Sequence, residues 1–285
     1  MSPDSPNASG HLLLSTDYMA VASCRHGTFL FNRNDLVVGR SMELYGEWCE
    51  PELQILDQII QPGAVVLDIG ANIGTHTIPF ARKVGDAGRV YAFEPQRLIF
   101  QTLCANVALN ALRNVLTYHA GVSNVPGTMH LPVIDPRQPY NFGGVALQEH
   151  LKGEQLAVIT IDELKVPTCQ LIKIDVEGAE VSVLEGARKT IEQHRPVLFV
   201  ENNTQDRSSS VIAAVQSLDY NAWWHFTDYY QPNNCRKNSR NVFLNSRPEA
   251  NLLCFHRNHN VSLEGFLPVT GPEDDWLKAL QRRTG

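Results

Sequence analysis

V-V-L-D-I-G-A-N-I-G, residues 65–74, decides the fold. An apolar run ends at Asp68, Gly70, Asn72 and Gly74 follow at alternate positions, and a helix-like run, 75–84, comes next. A short continuous apolar run bounded by glycines predicts a strand buried on both faces of a parallel sheet. Glycines let the backbone turn sharply and let a ligand approach the main chain, while the following helix points its free N–H groups into that space.

A dinucleotide fingerprint, G-x-G-x-x-G, is not met, because Thr75 and the residues beyond it offer no third glycine at the required spacing. Asp68 separates the ligands further: a carboxylate at the end of the first strand repels a pyrophosphate but pairs with an amino-acid ammonium. S-adenosylmethionine carries such an ammonium and no phosphate. The competing reading is a bare strand-to-helix connection.

With 285 residues, 43% hydrophobic and 19% charged, the chain is long enough for one large core plus an accessory segment. A net charge of −6 leaves no average basic surface for a nucleic-acid backbone, so nucleic acid is not an expected partner. No apolar run approaches the roughly 20 residues of a membrane span, and the polar start, residues 1–10, is expected to fray in a cytoplasmic protein. The six cysteines form no C-x-x-C pair and are expected to be mostly buried thiols.

Residues 18–24 and 28–31 predict a hairpin turning at Gly27, and a helix is expected from about Pro51 with Glu50 and Glu52 at its positive end. After the 75–84 helix, strand 89–93 ends at Glu94. An acidic residue there is placed to accept both ribose hydroxyls of an adenosine; the alternative is a helix-capping carboxylate. A helix over 96–110 and a strand over 115–118 follow, and the turn 120–123, ending at Ser123, is where an adenine is expected. Residues 127–161 read as an insertion of short strands around the loop Asn141-Phe142-Gly143-Gly144, either a surface excursion or a lid. Strands are expected over 171–176, 196–200, 221–226 and 251–255, a helix with Glu180 in its first turn ending near His194, another over 208–218, and a solvated charged helix over 273–283. Alternation points Asp175 and Glu177 into the crevice at the carboxyl ends of the strands.

Together, Y-G-E-W-C-E-P-E (45–52), V-V-L-D-I-G-A-N-I-G-T-H-T (65–77), A-F-E-P (92–95), L-I-K-I-D-V-E-G-A-E (171–180), V-L-E-G-A (183–187) and R-P-V-L-F-V-E-N (195–202) closely resemble the FkbM-type family of class I S-adenosylmethionine-dependent methyltransferases. The resemblance covers roughly residues 40–257. It implies an α/β, Rossmann-like seven-stranded sheet with helices on both faces, and methyl transfer to a hydroxyl oxygen of a sugar, glycan or natural-product acceptor. Carried over by position, Asp68, Gly70, Asn72 and Gly74 frame the methionine part of the cofactor, Glu94 holds its ribose and Asp175 lies near the reacting centre. Tyr45, Glu47 and Glu52 match a segment that closes over the cofactor. The division expected is an accessory hairpin and lid helix over 1–61, the methyltransferase domain over 62–257 and a tail with a short helix over 258–285.

Methyl transfer to a hydroxyl needs an in-line acceptor and a destination for its proton. Asp175 or Glu177 is the expected base, with His225 a candidate whose alternative is a histidine packed among aromatics. Asp175, Glu201 and Asn202, at adjacent strand ends, are a candidate oxygen set for Mg²⁺ or Ca²⁺, unless they serve only to hold cofactor or cap helices. A nicotinamide-dependent oxidoreductase and a non-catalytic S-adenosylmethionine-binding module remain the readings from other classes. Residues 136–150 and 226–241 are expected to surround the acceptor.

Overall fold

The computed structural model describes residues 11–145, 153–259 and 261–284. The hairpin expected near Gly27 is present as β2 (Met19–Cys24) and β3 (Gly27–Asn32), and β1 (Leu12–Ser15) adds an edge that its polar flanks conceal in the sequence. Ala20, Ala22, Phe29 and Phe31 alternate with more exposed residues and bury one face of this sheet against Ile73, Ile78, Ile99 and Phe142. The hairpin is thus seated against the 65–74 turn by its apolar face. Two helices follow, α1 (Val38–Leu44), which is absent from the sequence-based expectations, and α2 (Glu50–Ile59), which starts after Cys49 in a left-handed conformation.

The central elements are β4 (Val65–Ile69), α3 (Thr77–Val84), β5 (Arg89–Phe93), α4 (Arg97–Leu109) and β6 (Val115–Tyr118). A small sheet of β7 (Ala120–Val122), β8 (Gly127–Leu131) and β9 (Glu154–Ile159) comes next. The chain continues through β10 (Leu171–Ile174), α5 (Glu180–Gly186), α6 (Arg188–His194), β11 (Val197–Glu201), α7 (Gln205–Gln216), β12 (Tyr220–Thr227), β13 (Glu249–His256), β14 (Leu267–Pro268) and α8 (Trp276–Thr284).

The large sheet runs β14-β12-β13-β11-β10-β4-β5-β6, with β6, β5, β4, β10 and β11 parallel and β13 antiparallel to both its neighbours. It has eight strands rather than the seven expected, because the two-residue β14 pairs with Trp223 and Trp224 on the β12 edge. From β4 the chain winds outward through β5 and β6, then returns to β10 on the other side. A crevice therefore opens at the carboxyl ends of β4 and β10, where the winding reverses.

Three expectations change. Residues 120–122 are a strand, not a turn, because Ala120, Gly121 and Val122 pair in parallel with Ala157, Val158 and Ile159. The single helix expected from about Glu180 to near His194 is two helices broken at Ala187. The C-terminal helix is docked rather than solvated: Trp276 and Ala279 are buried in the main core, and Arg282 forks onto Asp274 at 2.9 and 2.7 Å. The expected fraying of residues 1–10 and part of the 136–150 loop, residues 146–150, lie outside the described residues. Among the described residues no helix is long and apolar enough to cross a membrane.

Candidate active site

The floor of the crevice is the turn after β4. Gly70 has φ +81°, and a Cβ there would lie 1.7 Å from the Asp175 carbonyl oxygen, so only glycine lets β4 and β10 end this close together. The Gly70 and Ala71 N–H groups donate to the Phe93 carbonyl at 3.0 and 2.9 Å, tying the turn to β5. Glu94 completes the clamp: its Oε2 accepts from the Asn72 N–H at 3.0 Å and its Oε1 from the Gln96 N–H at 2.8 Å. Burial pushes the Glu94 carboxyl up to about 7. Each oxygen keeps a lone pair for a further donor.

Lys173, absent from the sequence-based site, lies beneath this floor. It pairs in register with Asp68 across β4 and β10 and is 2% exposed. Its Nζ lies 3.0 Å from Asp175 Oδ2, 3.4 Å from Asp68 Oδ1 and 3.4 Å from the Gly70 carbonyl. Burial opposes its charge, but the Asp175 and Asp68 carboxylates outweigh burial and raise its pKa. A lysine inside the otherwise apolar L-I-K-I strand is the available signal, since buried lysines need a counter-charge. Asp68 is correspondingly not open to a ligand ammonium: it is fully buried, and its Oδ2 accepts from the Thr77 hydroxyl at 2.6 Å.

Above the floor the crevice, about 210 Å³, is walled by carboxylates: Glu52, Asp175, Glu177, Glu201 and Glu249. Glu52 Oε1 accepts from the Asn251 amide at 3.0 Å, and its Oε2 lies 3.1 Å from His76 Nε2. Burial raises Glu52 to about 8 and lowers His76 to about 4, so at neutral pH this is a hydrogen bond between a carboxylic acid and a neutral imidazole rather than an ion pair. Glu249 accepts the Tyr229 hydroxyl at 2.8 Å, and Tyr229 stacks on Trp48 at 4.9 Å. Burial lifts Glu177 and Glu249 to about 7, and Glu201 well above the usual range. On the open side, Asn141 and Gly143 line the crevice, with Phe142 buried beneath them and its carbonyl accepting from the Gln96 amide at 2.5 Å.

These shifts predict a pH profile. Glu52, Glu94, Glu177 and Glu249 bind protons more tightly folded than at their usual 4.5, so their contribution is full below that value and is lost as pH rises through 7–8. His76 and His225, lowered from 6.5 to about 4, act oppositely and cost stability as pH falls through that interval. The four carboxyls outweigh the two histidines, so melting of the ligand-free protein is expected to be highest at about pH 4–5 and to fall by roughly 5–10 °C by about pH 8.5. A flat profile across that range would rule out protonated crevice carboxyls.

The structure brings Gly70, Asn72, Glu52, Asp175 and Glu177 together as crevice lining, with Asp68 and Glu94 just behind it. Other expected residues lie elsewhere. Gly74, at φ +92°, faces Leu103 of α4 and serves packing. Tyr45 is 1% exposed; its hydroxyl donates to the Arg240 carbonyl at 2.9 Å and accepts from the Val242 N–H at 3.0 Å, so it fastens the 228–248 connection instead of lining the site. Ser123 lies against Gly186, whose added Cβ would meet the Ser123 carbonyl at 2.0 Å, because β7 carries it into the small sheet. His225 is packed between Phe199 and Phe266 at 5.9 and 6.1 Å and does not line the crevice. Nor is the oxygen set for Mg²⁺ or Ca²⁺ assembled: Asp175 pairs with Lys173, Glu201 accepts from the Asn203 amide, and the Asn202 Nδ2 is buried without a partner. Among the described residues no group of three or more His, Cys, Asp and Glu side chains is arranged to hold a metal.

A sequence profile described as the methyltransferase FkbM domain matches residues 68–222. Hexuronic acid methyltransferase AglP of Haloferax volcanii is 28% identical over 159 residues, covering 54% of this chain and 62% of its own. Methyltransferase FkbM from Methylobacillus flagellatus KT is similar in structure with a TM-score of 0.44 and 19% identity, over 71% of this chain and 50% of that one. The Pyrococcus horikoshii protein PH0793 superposes with a TM-score of 0.50 and 11% identity, over 85% of this chain and 72% of its own. The chain thus matches less than two thirds of the length of the Haloferax and Methylobacillus proteins.

Proposed function

The chain belongs to the FkbM methyltransferase family, and from that premise we propose that it transfers a methyl group from S-adenosylmethionine to a hydroxyl oxygen of a sugar, glycan or natural-product acceptor. In this reading residues 62–257 carry the transferase, residues 1–61 cover one side of it and residues 258–285 form its tail. The observation that carries the reading is the sign of the crevice. Five carboxyl side chains line it, and Lys173, already paired, is the only lysine or arginine among the lining residues. Glu177 and Glu249, titrating near 7, give up their protons as a positive charge enters, so this lining suits a ligand that is cationic at both ammonium and sulfonium and opposes a dinucleotide pyrophosphate.

S-adenosylmethionine supplies a methyl group already activated by its positive sulfur. The chain's own residues have the remaining work. Glu94, clamped by Asn72 and Gln96, offers its free lone pairs to ribose hydroxyls. Asp175, held by Lys173, marks the methionine end. Glu177 takes the acceptor's hydroxyl proton on a carboxylate oxygen, because a group titrating near 7 is both deprotonated often enough and basic enough at neutral pH. Trp48 and Tyr229 present a stacked aromatic wall for a ring, and the Asn141–Gly143 side shields the reacting centre from water. The name of the Haloferax relative favours a sugar as the acceptor.

Calorimetric titration with S-adenosylhomocysteine tests the reading. Binding in roughly the micromolar range is expected for the wild type, weakened about 10- to 100-fold in Glu94→Ala, which loses charge-assisted hydrogen bonds. Absence of binding to folded wild-type protein would overturn it.

A further inference from the structure

Beside the crevice lies a second depression, about 370 Å³, lined by Asn203, Tyr229, Ser246, Arg247, Pro248, Glu249 and Trp276. It shares Asn203, Tyr229 and Glu249 with the crevice, so the two form one continuous surface. Its far end differs in chemistry. The Arg247 guanidinium lies over the Trp276 ring at 5.2 Å and has no carboxylate or hydrogen-bond partner among the described residues. Trp276 is 3% exposed, and its Nε1–H is buried without an acceptor. A buried indole N–H left without an acceptor costs about 1–3 kcal/mol, which makes it a place where a ligand oxygen is gained at little expense. Arg247, Trp276 and Ser246 together supply only donors or hydroxyl, the arrangement that recognises an oxyanion.

We propose that this depression is the subsite for an anionic group on the acceptor, a carboxylate or phosphate borne by a sugar, held by the Arg247 guanidinium and the Trp276 indole N–H. The ring then extends past Tyr229 and Glu249 toward the crevice, presenting a hydroxyl there. Because the Glu249 carboxyl accepts the Tyr229 hydroxyl and is raised to about 7 by burial, it sets less than a full negative charge against the anion. That the ligand is the methyl acceptor rests on the methyl-transfer reading; the anion site itself does not.

The test uses the full chain labelled with ¹⁵N. Its four tryptophans give separate indole signals, and the one lost in Trp276→Phe is Trp276. Titration with glucuronate, glucose 6-phosphate and glucose is expected to move that signal for at least one charged sugar and not for glucose, with the response weakened at least about 10-fold in Arg247→Met. The stronger of the two charged sugars identifies carboxylate or phosphate. No movement with either, equal movement with glucose, or an unchanged response in Arg247→Met overturns the proposal. S-adenosylhomocysteine titrated into the same sample separates the two readings: failure to bind it, with the indole response intact, would remove the methyl-transfer reading and leave the anion subsite standing.

Discussion

Lys173→Met is expected to lower stability by roughly 3–5 kcal/mol, and the thermal midpoint by about 10 °C, because removing one partner of a buried charge cluster leaves the others uncompensated. Lys173 is the only cation within 4 Å of the fully buried Asp68 carboxylate among the described residues. It also holds Asp175 at 3.0 Å and reaches the Gly70 carbonyl. Methionine keeps the apolar stem but not the charge, so the variant has to protonate Asp68 or open the strand ends to water. Removing the cation leaves a buried negative charge unpaired, and the destabilisation is therefore expected to grow as pH rises from acid to neutral and to shrink in acid. Thermal melts of both proteins across that range supply the check, and a midpoint within about 2 °C of the wild type at neutral pH would mean that the cluster is not needed.

Gly70→Ala is the second large effect, expected to cost roughly 3 kcal/mol or more and to abolish S-adenosylhomocysteine binding at micromolar concentration. Two penalties act together. A side chain at φ +81° is strained wherever it is placed, and here the new methyl would sit 1.7 Å from one backbone oxygen and 2.8 Å from its carbon. Backbone cannot rotate away as a side chain can, so β4 and β10 have to separate at the floor of the crevice. Gly63→Ala isolates the first penalty, because Gly63 has φ +82° with nothing within 4 Å of its added Cβ. That control is expected to lose only about 1–2 kcal/mol. Equal melting of the two variants would mean that the close approach of the strands plays no part.

The parallel strands are legible because burial on both faces writes them as unbroken apolar runs: 89–93 and 115–118 can be read with their observed bounds. The crevice position follows from the glycine turn and the acidic strand ends. What stays hidden depends on partners distant in sequence. Lys173 makes sense only once β10 is set beside β4 in a register that faces it to Asp68. Glu249 opens β13 after a long irregular connection, where neither periodicity nor turn chemistry marks it. Ser123 and Tyr45 lie away from their expected places for a related reason: a local motif says that a residue is near the sheet edge but not which neighbouring element captures it. The docked C-terminal helix is readable in part, since Trp276, Leu277, Ala279 and Leu280 form an apolar side that the charged residues around them obscure.

The hydroxyl of Tyr45 meets backbone at Arg240 and Val242, 195 and 197 positions later, and Glu47 accepts from the Cys235 N–H 188 positions on. One side of the crevice is therefore sewn from the first and last quarters of the chain. On a ribosome, which releases residues in order, the glycine turn and its Glu94 clamp emerge well over a hundred residues before the segment that completes this wall. A nascent chain can shape the floor early, but an enclosed pocket exists only after residue 242 has left the tunnel.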